Sequence, residues 1–171
     1  KEFPRTAQGW DIFRLFAGAE GTLGVITEVT LRIFNHAPQN TASAAFIFRS
    51  FATAVEAMRT MIQSEYGRPH LFRISDPAET AIAFTTGGFD GTLSDKVLKA
   101  LGFKTGSRCL MFVTVEGEKE YAGFVISKIK KTARKGRGMY IGTGPVRKWL
   151  DQRYSSAYMR DPLMDRGTMT D

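Results

Sequence analysis

Cysteine is almost missing from this sequence. Cys109 is the only one in 171 residues, so no disulfide can form within the chain. Histidine is nearly as scarce. His36, His70 and one cysteine cannot make the usual four-ligand zinc set, and neither histidine has a neighbouring Ser, Cys or Asp in a triad-like pattern. Nowhere do about 18 apolar residues run together, which excludes a membrane-spanning helix within the sequence. No leader-like segment opens the chain. It begins with Lys1 and not Met, which reads as a processed chain or an excised fragment, and a missing N-terminus could hide a signal. Acidic residues are also outnumbered, 17 Asp and Glu against 24 Lys and Arg, for a net charge of +7 and a pI near 9.7. Such a surplus favours an anionic partner, and nucleic acid, an acidic lipid surface and a phosphorylated ligand all fit.

What is present is enough for a core: 43% of the residues are hydrophobic, which excludes a disordered chain. The length suggests one domain, with a piece of another. Val25, Thr27, Val29, Leu31 and Ile33 alternate with Ile26, Glu28, Thr30 and Arg32, so a strand is expected over 25–34. Residues 35–40, with Pro38, read as a linker and a domain boundary. Beyond it the pattern gives a strand at 42–48 and a helix carrying Phe51, Val55, Met58 and Ile62 on one face, capped by Ser50 or by a Thr53–Glu56 box. A strand at 71–74 is followed by a helix start at Asp76-Pro77-Ala78-Glu79. Residues 87–106 are glycine-rich, with a short helix near 95–101. A strand at 109–115, a helix at 118–134, a strand at 139–141 and a helical stretch from 146 to 163, broken at Pro162, complete the chain. This order matches an α+β, ferredoxin-like antiparallel sheet with helices on one face and an insertion between the second and third strands.

Gly18, Gly21 and Gly24 recur every third residue. The spacing is not the dinucleotide fingerprint, and a strand pattern follows instead of a helix. Such a segment is either a tight turn or a concavity whose exposed N–H groups receive an anion. The basic run from Lys128 to Arg137 is either a phosphate or nucleic-acid patch or the solvated end of a helix, where cations suit the dipole. Tyr121 to Val125 echoes an RNA-binding sheet signature but falls in a helical pattern. Arg73 sits mid-strand and either points to solvent or pairs with Asp76; Arg160 pairs locally with Asp161 or Asp165 on the simplest reading. Glu116, Glu118 and Glu120 cluster at a helix start, where the dipole favours them.

Pro4-Arg5, Gly9-Trp10-Asp11-Ile12 and Gly18-Ala19-Glu20-Gly21-Thr22-Leu23-Gly24-Val25-Ile26-Thr27 resemble the last part of the FAD-binding domain of FAD-linked oxidases of the vanillyl-alcohol-oxidase type. Ala19 stands where that family usually has Ser. Leu71-Phe72-Arg73-Ile74-Ser75-Asp76 and Ala157-Tyr158-Met159-Arg160-Asp161 resemble segments of the alkyldihydroxyacetonephosphate synthases, weakly connected through 85–150. The resemblance implies that residues 1–38 end a FAD-binding domain and that 39–171 form an incomplete cap, or substrate, domain. It implies that Glu20, Gly21, Thr22, Leu23, Gly24, Val25 and Ile26 touch FAD, largely through backbone, and that Arg73 and Arg160 line a substrate site, with Arg160 on an anionic group, plausibly phosphate. The family's pyrophosphate loop would lie upstream of Lys1 and its catalytic Tyr and His cluster downstream of Asp171. The fragment alone is therefore expected to be inactive and to hold FAD weakly.

In the synthases, FAD takes part in exchanging the acyl group of a dihydroxyacetone phosphate ester for a fatty alcohol. The alternatives are a 2-hydroxy-acid dehydrogenase or oxidase segment and, from another class, a basic ferredoxin-like RNA-binding module. The implied partner is a small, anionic or phosphorylated molecule, with no nucleic acid and no metal. A cytoplasmic or peripheral membrane location and a homodimer are compatible with the resemblance.

Overall fold

A computed structural model describes residues 13–33, 35–154 and 160–167. They fall into two units, Lys1–Asn35 and His36–Asp171. In the second unit, β1 (Ala42–Phe48), β2 (Leu71–Ser75), β3 (Cys109–Val115) and β4 (Met139–Gly142) form a sheet in the order β2-β3-β1-β4, every neighbour antiparallel. That is the strand order of the expected ferredoxin-like arrangement.

The helices α2 (Phe51–Gln63) and α5 (Lys119–Lys135) cover one face of this sheet. There Phe46, Phe48, Met111 and Val113 pack with Ala57, Met61, Val125 and Ile129. The opposite face is covered as well, by α3 (Pro77–Thr86), α4 (Leu93–Ala100) and α6 (Gly144–Gln152). Ala45, Ile47, Leu110 and Phe112 are buried there with Phe84, Phe103 and Val146. The sequence reading had helices on one face only, which holds for the pair α2 and α5. The reason for the second layer lies in β1 and β3, where the apolar residues Ala44 to Phe48 and Cys109 to Val113 are consecutive, so both faces must leave water. Burying a residue such as Ile47 or Phe112 contributes about 1.5–3 kcal/mol.

Local chemistry sets the helix ends. Ser50 caps α2, its hydroxyl accepting from the Thr53 N–H at 3.4 Å. Asp76 caps α3, accepting from the Glu79 N–H at 2.7 Å. Thr92 caps α4, accepting from the Asp95 N–H at 3.2 Å. At the far end of α5, the Arg137 N–H donates to Arg134 O (3.1 Å) and the Gly138 N–H to Ala133 O (2.8 Å). This is a Schellman closure with Arg137, at φ 62°, in the left-handed position that glycine usually fills. The helical stretch expected over 146–163 is two helices: α6 ends at Gln152, and Pro162 lies inside the short α7 (Arg160–Met164), in its first turn, where a missing N–H costs nothing.

In the first unit, α1 (Phe13–Phe16) leads into turns closed by the Ala19 N–H on Phe16 O and the Thr22 N–H on Ala19 O. Residues 24–33 form neither helix nor strand. The expected strand over 25–34 thus does not form among the described residues. Alternation signals a half-buried strand only where a neighbour supplies the ladder, and Val25 and Ile33 are 89% and 85% exposed.

A carboxylate ties the start of the second unit to the end of β3. Glu116 accepts from the Ala37 N–H at 2.5 Å, and its Oε1 lies 2.9 Å from His36 Nδ1. The Ala37 N–H first, and then His36, hold the Glu116 carboxyl below the usual glutamate range, against the effect of burial. A depressed carboxyl stabilises the fold above its ordinary value, and the contribution disappears as pH falls through the lower folded value. Protection of the Ala37 amide from hydrogen exchange is therefore expected at neutral pH and lost on acidification. Glu116→Gln keeps an acceptor but no titrating group, so the acid step should vanish.

Candidate functional site

Two regions gather the residues that the sequence pointed to. The first is the glycine loop. Gly18, Gly21 and Gly24 have φ of 81°, 82° and 149°, and Glu20 joins them at 48°. A Cβ at Gly21 would meet nothing within 4 Å, so it is conformation, and not crowding, that calls for glycine there. The Thr22 hydroxyl is spent on Ala19 O at 2.6 Å. The N–H groups of Gly21, Leu23, Gly24, Val25 and Ile26 donate to no described residue. The loop therefore offers a row of exposed backbone donors on positive-φ hinges, which fits close approach by a cofactor through backbone contacts.

The second region lies on the face of the sheet covered by the insertion. α3, α4 and α6 leave a cavity of about 750 Å³ over β3 and β4, within the usual range of ligand sites. Its walls are mostly apolar: Phe84 and Ala83 from α3, Leu98 from α4, Phe112 from β3, Ile141 from β4 and Trp149 from α6. Lys148 also lines it and donates from Nζ to Gly87 O at 3.3 Å, linking α6 to the end of α3.

Arg73 stands behind this wall. Its register partner across the ladder is Phe112. Its guanidinium carbon lies 5.1 Å from the centroid of the Trp149 ring, which in turn packs tilted against Phe112 at 6.2 Å. The guanidinium pairs with Glu79, and not with Asp76, whose carboxylate is occupied as the α3 cap. The Asp76 pair does not form, and the side chain, 37% exposed, is only partly in solvent. Arg160 opens α7, and its side chain lies outside the described residues.

A buried charge cluster holds the insertion in place. Asp95, which also lines the cavity, is fully buried and meets Lys99 Nζ and Arg108 Nη1, each at 2.6 Å, and the Gly91 N–H at 3.1 Å. Arg108, 1% exposed, lies with its guanidinium carbon 3.8 Å from the Phe84 ring centroid. The Lys99 contact first, with Arg108 and Gly91, keeps the Asp95 carboxyl far below the usual aspartate range although burial opposes this. Thr80 adds a second tie, accepting from the Leu110 N–H at 3.1 Å. Sequence reading missed this cluster and the cavity. Asp95 four residues before Lys99 was a usable helix-pair signal, but nothing local marks Arg108 as its second partner.

The comparisons with known proteins bear on the whole chain. Residues 37–160 match the family model described as FAD linked oxidases, C-terminal domain. The chain is 30% identical over 178 residues to the alkyldihydroxyacetonephosphate synthase of Dictyostelium discoideum, covering 98% of this chain and 28% of that protein. To the Caenorhabditis elegans synthase it is 27% identical, covering 98% of this chain and 29% of the relative. A solved alkyldihydroxyacetonephosphate synthase superposes with a TM-score of 0.72 at 30% identity, over 92% of this chain and 30% of the other. The chain thus spans less than a third of the relatives it resembles. A probable mitochondrial D-lactate dehydrogenase of Danio rerio is 40% identical over 60 residues, which is 35% of this chain and 12% of the relative. With more than half its residues matched by the family model, the chain belongs to the FAD-linked oxidase family, within the C-terminal domain.

Proposed function

We propose that this chain is a stretch of a FAD-dependent enzyme of the alkyldihydroxyacetonephosphate synthase kind. Residues 1–38 end its flavin-binding domain and 39–171 belong to its substrate cap. One observation carries the reading: the likeness to synthases extends over 98% of the chain in sequence and 92% in structure, while the dehydrogenase likeness stops at 35%.

In this reading Glu20 to Ile26 hold one edge of FAD through the glycine-loop N–H groups that donate to no described residue. Bound there, FAD supplies the redox-active ring on which the activity depends. The apolar cavity under α3, α4 and α6 receives the long hydrocarbon chain of the substrate, removing it from water. Arg73, braced by Glu79, fixes the Trp149 and Phe112 wall of that cavity. Arg160 grips the phosphate, a role suited to a guanidinium because it can bind in a bidentate way. A substrate of this type brings the enzyme to a membrane surface as a peripheral protein.

The test is Arg160→Ala in the complete protein. Binding of the phosphorylated substrate should weaken by roughly 10- to 100-fold, the worth of a charge-assisted hydrogen bond, with FAD binding unchanged. Equal losses in both titrations would count against the assignment.

A further inference from the structure

At the edge of the sheet where β4 begins, four cations from three segments surround one recess of about 560 Å³. Arg49 follows β1, Lys130 and Arg134 stand on α5, and Arg137 belongs to its closing turn. No carboxylate lines the recess, and none of the four forms an ion pair with a described acid. The lining is also aromatic: Phe46 and Phe103 are buried and Tyr140 is partly exposed. The Arg49 guanidinium carbon lies 5.1 Å from the Phe103 ring centroid, and Lys130 Nζ lies 4.4 Å from that of Tyr140. Arg49 donates from Nε and Nη2 to Leu101 O at 3.3 and 3.0 Å, which fixes its plane and leaves Nη1 without a described acceptor.

The dipole of α5 accounts for Arg134 and Lys135, because cations suit the carbonyl end of a helix. It does not account for Arg49, which comes from a strand end. Nor does it account for Arg137, which takes the left-handed position of the helix closure although glycines stand on both sides of it. Non-glycine residues held in that region concentrate where a side chain has a task. The half-charge of the helix end opposes an anion, but four uncompensated cations outweigh it.

We propose that this recess binds the phosphate group of an organic phosphate, held by Arg49, Arg134 and Arg137, with the organic part against the aromatic lining. Leu101 and Met139 line both this recess and the apolar cavity, so a phospholipid headgroup is one source of such a phosphate and a soluble ester is the other.

Arg137→Gly provides the decisive variant, because it removes a charge while giving the helix closure its usual residue, and so it should fold with an equal or higher Tm. Glycerol phosphate and inorganic phosphate are titrated calorimetrically into the complete protein. Flotation is then run with phosphatidylcholine vesicles with and without phosphatidic acid. Phosphate-ester binding that weakens roughly tenfold in Arg137→Gly is expected, with little change in Lys119→Gln, which loses the same charge at the other end of α5. Binding confined to phosphatidic acid vesicles, and lost in Arg137→Gly, assigns the headgroup as the source. The proposal is overturned by no binding in either arm, by equal losses in the two variants, or by generic RNA binding more tightly than every phosphate probe.

Discussion

Asp95→Ala should cost the His36–Asp171 unit about 3–5 kcal/mol, a large share of the stability of an ordinary domain. The truncation leaves Arg108, 1% exposed, without its carboxylate, and its Nε and Nη2 already have no hydrogen-bond partner among the described residues. The Asp95 carboxyl is held far below its usual range, so its contribution is complete at neutral pH and is lost only when acid protonates it in the folded state. The effect should be local first: amides of α3 and α4 lose exchange protection before those of β1 and β3. A paired replacement separates charge from packing. Replacing both partners by apolar residues, as in Asp95→Leu with Arg108→Met, should recover most of the loss, because a buried ion pair is often no better than well-packed hydrophobic groups. A denaturant midpoint for Asp95→Ala indistinguishable from that of the parent would show that the cluster does not pin the insertion.

The second large effect concerns the cavity. Ala83 is exposed on α3 and faces the cavity, so a larger side chain there narrows the space without disturbing the buried core. If the cavity receives a hydrocarbon chain, Ala83→Phe in the complete protein displaces several methylene groups. At about 0.8 kcal/mol for each one, displacing five costs about 4 kcal/mol, or roughly a thousandfold in kcat/KM for a long-chain substrate. A short-chain analogue that never reaches the cavity should be turned over as before. A loss of the same size for both chain lengths would place the long chain elsewhere.

The parts of the fold that were legible in the sequence are those written as a period. The strand over 42–48 and the helix after Ser50 were readable because each pattern reports a local geometry, and β1 and α2 occupy those places. The helix face was misjudged: Ala54, Ala57 and Met61 face the sheet, with Met58 at the margin, while Phe51, Val55 and Ile62 stay 46%, 41% and 63% exposed. Small alanines, and not the bulkiest residues, allow α2 to pack closely. Asp76-Pro77-Ala78-Glu79 was readable because a cap is local chemistry. The residues over 25–34 show the limit of that logic. Their alternation is clear, yet a ladder needs a partner strand, and none pairs with them among the described residues.

The site divides in the same way. The glycine loop was visible as spacing and acquired meaning only through resemblance, and its positive φ values agree with both. Arg73 was noticed because arginine is unusual in mid-strand. Its partner was misjudged because Asp76 was nearer in sequence but already occupied in capping α3. The cavity was invisible: α3, α4, β3, β4 and α6 each contribute a few apolar residues that look, segment by segment, like ordinary core.

The most direct test of the account is an assay of the complete protein with FAD bound. It is offered a long-chain acyl ester of dihydroxyacetone phosphate with a fatty alcohol and, separately, D-lactate. The account predicts formation of the alkyl ether product with release of the fatty acid, and no reduction of the flavin by the 2-hydroxy acid. Flavin reduction by D-lactate, with no ether product from the ester and alcohol, would contradict it.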